Sequence, residues 1–159
     1  LQKRTYFRKY VGYVPQEPPL IEELTVKDNL KLWGVWQSEH RELLLSSFEL
    51  EELLKTEVRK LSGGMKRRLS IACALAQWPP ILLLDEPTTA LDLYYKDNIQ
   101  QWLMQYRSMN GIVLLTSHDE NEILSCDRCL IMKQGKLTEL TGEDLTIEEI
   151  RKGIITPDK

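Results

Sequence analysis

Ile81-Leu82-Leu83-Leu84-Asp85-Glu86-Pro87-Thr88-Thr89 decides how the rest of the chain is read. Ile81–Leu84 is a continuous apolar run, the mark of a strand covered on both faces in a parallel sheet. Upstream, Ser62-Gly63-Gly64 opens a helix in which Leu69, Ala72, Cys73 and Ala76 recur at i, i+3, i+4 and i+7 as one buried stripe. Pro79-Pro80 ends that helix. Downstream, a second amphipathic helix is expected from about Leu93 to Met109, with Ile99, Trp102, Leu103 and Tyr106 on one face. Asn110-Gly111 stops it, and Ile112–Thr116 is another fully apolar strand. Strand–helix–strand units with buried strands imply an α/β domain built on a parallel sheet.

Further out, Tyr10–Val14 reads as a strand stopped by Pro15, and Gln16–Leu20 as a loop. From Thr25 to about Leu61 the pattern is a block of short helices with no strand signal, which looks like an inserted helical subdomain over about 17–61. Residues 62–140 carry the core and 141–159 a tail. In the later part, Asp119 caps a short helix with Glu122 three residues on. Cys129–Met132 and Lys136–Leu140 flank Lys133-Gln134-Gly135 as a small hairpin, and Thr146 with Glu149 caps a final helix.

Composition narrows the classes of function. The 159 residues suit one domain on a scale of ~150 residues each. Basic residues number 21 and acidic 24, so the net charge is −3, which argues against a strongly basic nucleic-acid binder. The apolar runs are too short to span a bilayer. Arg8 and Lys9, after Lys3 and Arg4, interrupt any candidate secretory signal. Cys73, Cys126 and Cys129 are too few for a disulfide scaffold and fit a reducing cytosol. Cys126-x-x-Cys129 has no second pair, and His40 and His118 are the only histidines, so no zinc site is expected. The chain begins at Leu1 rather than at a methionine, which raises the expectation of a fragment.

Ligands of open α/β sheets bind at the carboxyl ends of the strands, where Asp85 and Glu86 fall. There Asp85 suits Mg²⁺ bridging two phosphates, and Glu86 suits polarising an attacking water. Ser62, Gly63 and Gly64 would present backbone N–H groups at the positive end of a helix, where the lack of side chains admits a phosphate. His118 follows the strand Ile112–Thr116, and Gln16 follows the strand Tyr10–Val14. Each has an ordinary reading as well: two solvated acids, a serine N-cap, a satisfied histidine, a loop glutamine.

Taken in order, Gln16, Leu61–Met65, Asp85-Glu86, Ala90-Leu91-Asp92 and His118 resemble the ATP-binding cassette (ABC) family, over about Tyr10 to Leu140. Val14-Pro15-Gln16 resembles the Q-loop and Leu61-Ser62-Gly63-Gly64-Met65 the signature motif. Ile81–Glu86 with Pro87-Thr88-Thr89 resembles the Walker B strand and its exit, Ala90-Leu91-Asp92 the D-loop, and Ser117-His118-Asp119 the switch-histidine loop. Met65 stands where importers often have Gln, and Met65-Lys66-Arg67-Arg68-Leu69 is similar to drug and antibiotic exporters. The run Lys66–Arg68 reads otherwise as a solvated basic helix face.

The resemblance implies a P-loop NTPase-like ATPase domain that powers a membrane transporter, with export favoured. It implies ATP and Mg²⁺, with Glu86, His118 and Gln16 in catalysis and Asp85 and Gln16 on the metal. Ser62, Gly63, Gly64 and Asp92 would contact ATP, partly across a head-to-tail pair of cassettes. The implied partners are that second nucleotide-binding domain and transmembrane subunits, which hold the cassette at the cytoplasmic face of a membrane; no nucleic acid is expected. Trp33 and Trp36, in the helical block, are candidates for that membrane-subunit interface.

One departure from the family is large. The eight glycines stand at 12, 34, 63, 64, 111, 135, 142 and 153, and none opens a Gly-x-x-x-x-Gly-Lys-Ser/Thr Walker A loop. An amino-terminally truncated cassette, inactive on its own, is therefore expected. Removal of the family's first strands is expected to bare one side of Ile81–Leu84. Two alternatives stand beside the transporter reading: a soluble cassette ATPase of the ribosome-associated type, and a non-catalytic remnant that acts as a binding module.

Overall fold

The computed structural model describes residues 9–89 and 91–155; Ala90 of the D-loop-like stretch, together with Lys3, Arg4 and Arg8, lies outside the described residues. Three strands, β1 (Val11–Val14), β2 (Ile81–Asp85) and β3 (Ile112–Thr116), pair in parallel in that order. The register sets Val14 beside Leu84 and Leu84 beside Leu115, with Asp85 opposite Thr116 at the carboxyl end.

Two helices cover one face of this sheet: α3 (Gly63–Ala74) against β1 and α4 (Leu93–Ser108) against β3. Gly12 allows the first approach, because a Cβ there would meet the Ala74 carbonyl at 2.8 Å. Val14, Leu82 and Leu84 are buried with Leu69, Ala72 and Cys73 of α3 and Ile99, Trp102, Leu103 and Tyr106 of α4. The predicted stripe of α3 is thus buried, yet Ser70, Ile71 and Leu75 are buried too, so the helix is enclosed on more than one side.

The opposite face of the sheet differs from expectation. Ile81–Leu84 and Ile112–Leu115 read as strands covered on both faces, but Tyr13, Ile112 and Leu114 are 52%, 60% and 55% exposed. Period-2 geometry places these residues on the face away from α3 and α4. Apolar runs record what a strand needs, not whether a neighbour is present to supply it. The expectation that one side of β2 would lie bare also needs correction. β2 is the inner strand, with both edges paired, and the exposure falls on the face.

Between β1 and α3 lies the block expected to be helical: α1 (Val26–Leu32), α2 (Arg41–Ser47) and single 3₁₀ turns at Val35–Gln37 and Val58–Lys60. Thr25 caps α1 by accepting from the Asp28 N–H at 3.1 Å. The fully buried Asn29 ties the loop after β1 to this helix: its amide accepts from Ile21 N–H and donates to Ile21 O, both at 2.9 Å. Trp36 lies between Lys27 and Arg41, its ring centroid 4.9 and 5.2 Å from the two cations, while Trp33, Leu32 and Leu43 are exposed.

Aromatic rings join this block to the sheet. His40 contacts Trp78 (4.5 Å between centroids), Trp78 contacts Tyr106 (5.8 Å), Tyr106 stacks on Trp102 (5.3 Å), and Trp102 meets Phe48 (4.9 Å). The Tyr106 hydroxyl donates to the Pro79 carbonyl just before β2. At the end of α4 it is Asn110, at φ 65°, that takes the left-handed turn. Gly111 is required for a different reason, since a Cβ there would fall 2.3 Å from the Tyr106 ring.

Contacts group the chain up to Thr116 into one unit and Ser117 onward into a second. In the second unit, Asp119 caps α5 (Glu120–Leu124) by accepting from the N–H groups of Asn121 and Glu122. Strands β4 (Arg128–Lys133) and β5 (Lys136–Thr141) form the expected hairpin. Gln134 and Gly135, at φ 47° and 76°, make its two-residue turn. Thr146 caps α6 (Ile147–Ile155).

Candidate functional site

The first unit carries two clusters of the expected site residues. The acid cluster begins where β2 ends. The half-buried Asp85 carboxylate accepts from the Thr116 hydroxyl at 2.6 Å. The Glu86 N–H donates to that hydroxyl at 3.1 Å and to the Thr116 carbonyl at 3.2 Å. Glu86 sits at φ 45°, a left-handed conformation uncommon outside glycine, and this turns the chain out of the strand. Its carboxylate accepts from the Thr89 hydroxyl at 2.6 Å.

Beneath this turn lies Arg67, which is 5% exposed. Its guanidinium donates to four backbone carbonyls: Pro87 at 3.0 Å, Pro15 at 2.5 Å, and Asp85 and Glu86 at 2.6 Å each. Pro15 directly precedes the exposed Gln16, so one side chain of α3 holds the exits of both β1 and β2. The reading of Lys66–Arg68 as a solvated face is therefore corrected. Arg68 is buried as well, paired with the Glu49 carboxylate and lying 4.8 Å from the Tyr95 ring centroid. Lys66 reaches Glu22 at 2.5 Å. Fixed partners on other segments drew these charges inward; periodicity within the helix carries no trace of them.

The glycine cluster is the start of α3. Ser62 is the N-cap, accepting from the Met65 N–H at 3.2 Å, so the ordinary capping role is present. Helix geometry leaves the first N–H groups without intrahelical acceptors. The two glycines differ. A Cβ on Gly63 would meet nothing within 4 Å, whereas one on Gly64 would lie 2.9 Å from the Tyr95 ring. Gly63 thus leaves open space, while Gly64 accommodates α4. Asp92, exposed, caps α4 by accepting from the Tyr95 N–H at 3.1 Å.

His118 belongs to the second unit, exposed on the segment between β3 and α5. In the same unit, burial pushes the Cys126 thiol up, reinforced by Glu122, and burial also raises Cys129. Sequence reasoning missed Thr116 and Arg67. The apolar run ending in Thr116 opposite Asp85 held a signal for the first.

Residues 1–89 match the family described as ABC transporter. The chain is 38% identical over 158 residues to the Nod factor export ATP-binding protein I of Sinorhizobium fredii, covering 93% of this chain and 46% of that protein. It is 38% identical over 138 residues to the lipopolysaccharide export system ATP-binding protein LptB of Acidithiobacillus ferridurans, covering 82% and 57%. Among solved structures, the ATP-binding cassette MJ0796, dimeric and bound to ADP and Pi, superposes with a TM-score of 0.78 at 29% identity, covering 88% of this chain and 66% of that one. The chain belongs to the ABC transporter family, and its fold is that of an ABC ATPase cassette. It spans about half the length of the curated relatives it matches. Among the described residues, no helix is long and apolar enough to cross a membrane.

Proposed function

We propose that this chain is part of an ATP-hydrolysing subunit that powers an ABC exporter, working at the cytoplasmic face of a membrane through transmembrane subunits and paired with a second cassette. The observation that carries the reading is the placement of the acid cluster and the open glycine cluster on one hydrogen-bonded pair of elements, β2 and α3, in a chain whose relatives include export ATP-binding proteins.

The residues fit Mg²⁺. Asp85 offers a hard carboxylate oxygen at a strand end, the donor that Mg²⁺ takes alongside substrate phosphates, and Gln16 offers an amide oxygen. The bound ion would neutralise phosphate charge. Glu86, one residue on, orients and polarises the attacking water. His118 is the γ-phosphate sensor that the family resemblance implies, and Asp92 lies at the junction of the two cassettes. Ser62, Gly63 and Gly64 close over a nucleotide held mainly by the partner cassette, their N–H groups and helix dipole facing its phosphate.

Glu86→Gln in the full-length subunit tests this reading. Turnover should fall by ~10²–10⁴, the usual cost of losing a positioned base. ATP affinity, measured by calorimetry, should be retained. Near-normal turnover removes Glu86 from the role of base.

A further inference from the structure

Arg67 stands out among the buried charges because of what it holds. Four main-chain carbonyls accept from it, those of Asp85, Glu86 and Pro87, three in succession, and that of Pro15 next to Gln16. The left-handed Glu86 lies within that run of three carbonyls. A guanidinium is a planar fork with five N–H donors, and four acceptors in fixed directions suit it as no other side chain would. The arginine itself stands in the second turn of α3, four residues beyond Gly63.

We propose that Arg67 is a positioning residue that holds the backbone of Asp85, Glu86 and Pro87, and the turn before Gln16, in register against helix α3. The inference rests on the hydrolytic reading above. In a head-to-tail pair, α3 faces the nucleotide of one site while Glu86 serves the other. Arg67 then acts on the site that its own Glu86 serves, through the Asp85–Pro87 backbone. A lysine in its place supplies charge but no fork, so the three successive carbonyls lose their common anchor.

The test uses dimers of the full-length subunit mixed from two differently tagged copies, one of them bearing Glu86→Gln, so that one hydrolytic site remains. Arg67→Lys is placed either in the copy with intact Glu86 or in the Glu86→Gln copy. In the first placement kcat should fall roughly tenfold or more with KM for ATP little changed, because misplacing a reacting group acts on the chemical step. In the second placement the loss should be several times smaller. Turnover is expressed per nucleotide-binding site, measured by titration, so loss of folded protein does not register as slow chemistry. Arg67→Gln serves as the second variant if the lysine form aggregates.

Equal losses in the two placements, an effect confined to KM, or unchanged turnover per site each overturn the role of Arg67. Normal turnover in a dimer with Glu86→Gln in both copies overturns the hydrolytic reading itself, and this inference with it, and that control distinguishes the two failures.

Discussion

The acid cluster and the glycine cluster of the first unit are held in opposite ways. Asp85 and Glu86 are fixed by partners distant in sequence: Thr116 from β3, Arg67 from α3, and through Arg67 the exit of β1. Ser62 and Gly63 are held locally, by a cap to Met65 three residues away, and Gly63 faces empty space. A catalytic carboxylate must be oriented before its substrate arrives. A surface that closes over a ligand from another molecule must instead stay open until then. Under the proposed function, the contrast fits the first cluster to chemistry within the chain and the second to recognition from outside it.

The largest test of that contrast is Ser62→Arg in the full-length subunit. A bulky cation on the exposed side should abolish ATP-driven pairing while leaving nucleotide binding by each subunit intact. Sedimentation with ATP and the Glu86→Gln background reads this out; a normal ATP-dependent dimer would reduce Ser62–Gly64 to a helix cap.

The two glycines should then separate. Gly64→Ala forces the Tyr95 ring away from a 2.9 Å approach and should lower stability by ~1–3 kcal/mol, the usual cost of overpacking. Gly63→Ala meets no atom and should leave stability unchanged or raise it by up to ~1 kcal/mol, as alanine does in a helix. It should still weaken ATP-driven pairing. Thermal melts beside pairing assays decide this: if Gly63→Ala pairs normally, the open space there serves no ligand.

The smallest effect belongs to Thr116→Val, which keeps the strand shape and removes the hydroxyl shared by Asp85 and Glu86. The Glu86 N–H keeps the Thr116 carbonyl, so turnover should fall about five-fold, the equivalent of ~1 kcal/mol for one net hydrogen bond. Pairing with ATP should be unaffected. A pairing defect would show that the two clusters are less separate than their contacts indicate.

Much of this was readable from the residues. The apolar run Ile81–Leu84, the stripe of α3 and the face of α4 each announce their element through local periodicity, and Ser62 and Asp119 announce helix starts through side chains that cap within three residues. Arg67 was not readable, because its acceptors lie 18 to 52 residues away and are main-chain atoms with no side-chain signature. The open face of the sheet was hidden for a related reason. Ile112 and Leu114 look the same in sequence whether covered or bare. Of the candidate site, Asp85, Glu86, Ser62 and Gly63 are the candidates that the residue pattern offers, while the difference between Gly63 and Gly64 depends on where the Tyr95 ring of α4 comes to rest.

The ring series from His40 through Trp78, Tyr106 and Trp102 to Phe48 has an optical consequence. Its members come from the helical block, the turn before β2 and α4, and neighbours lie within 6 Å of one another, close enough for their electronic transitions to couple. Such an asymmetric stack gives the chain an intrinsic near-ultraviolet circular-dichroism band and a tryptophan emission sensitive to the spacing of these three regions. Any rotation of the helical block against the sheet during a nucleotide cycle would be recorded there, in a protein carrying no added label.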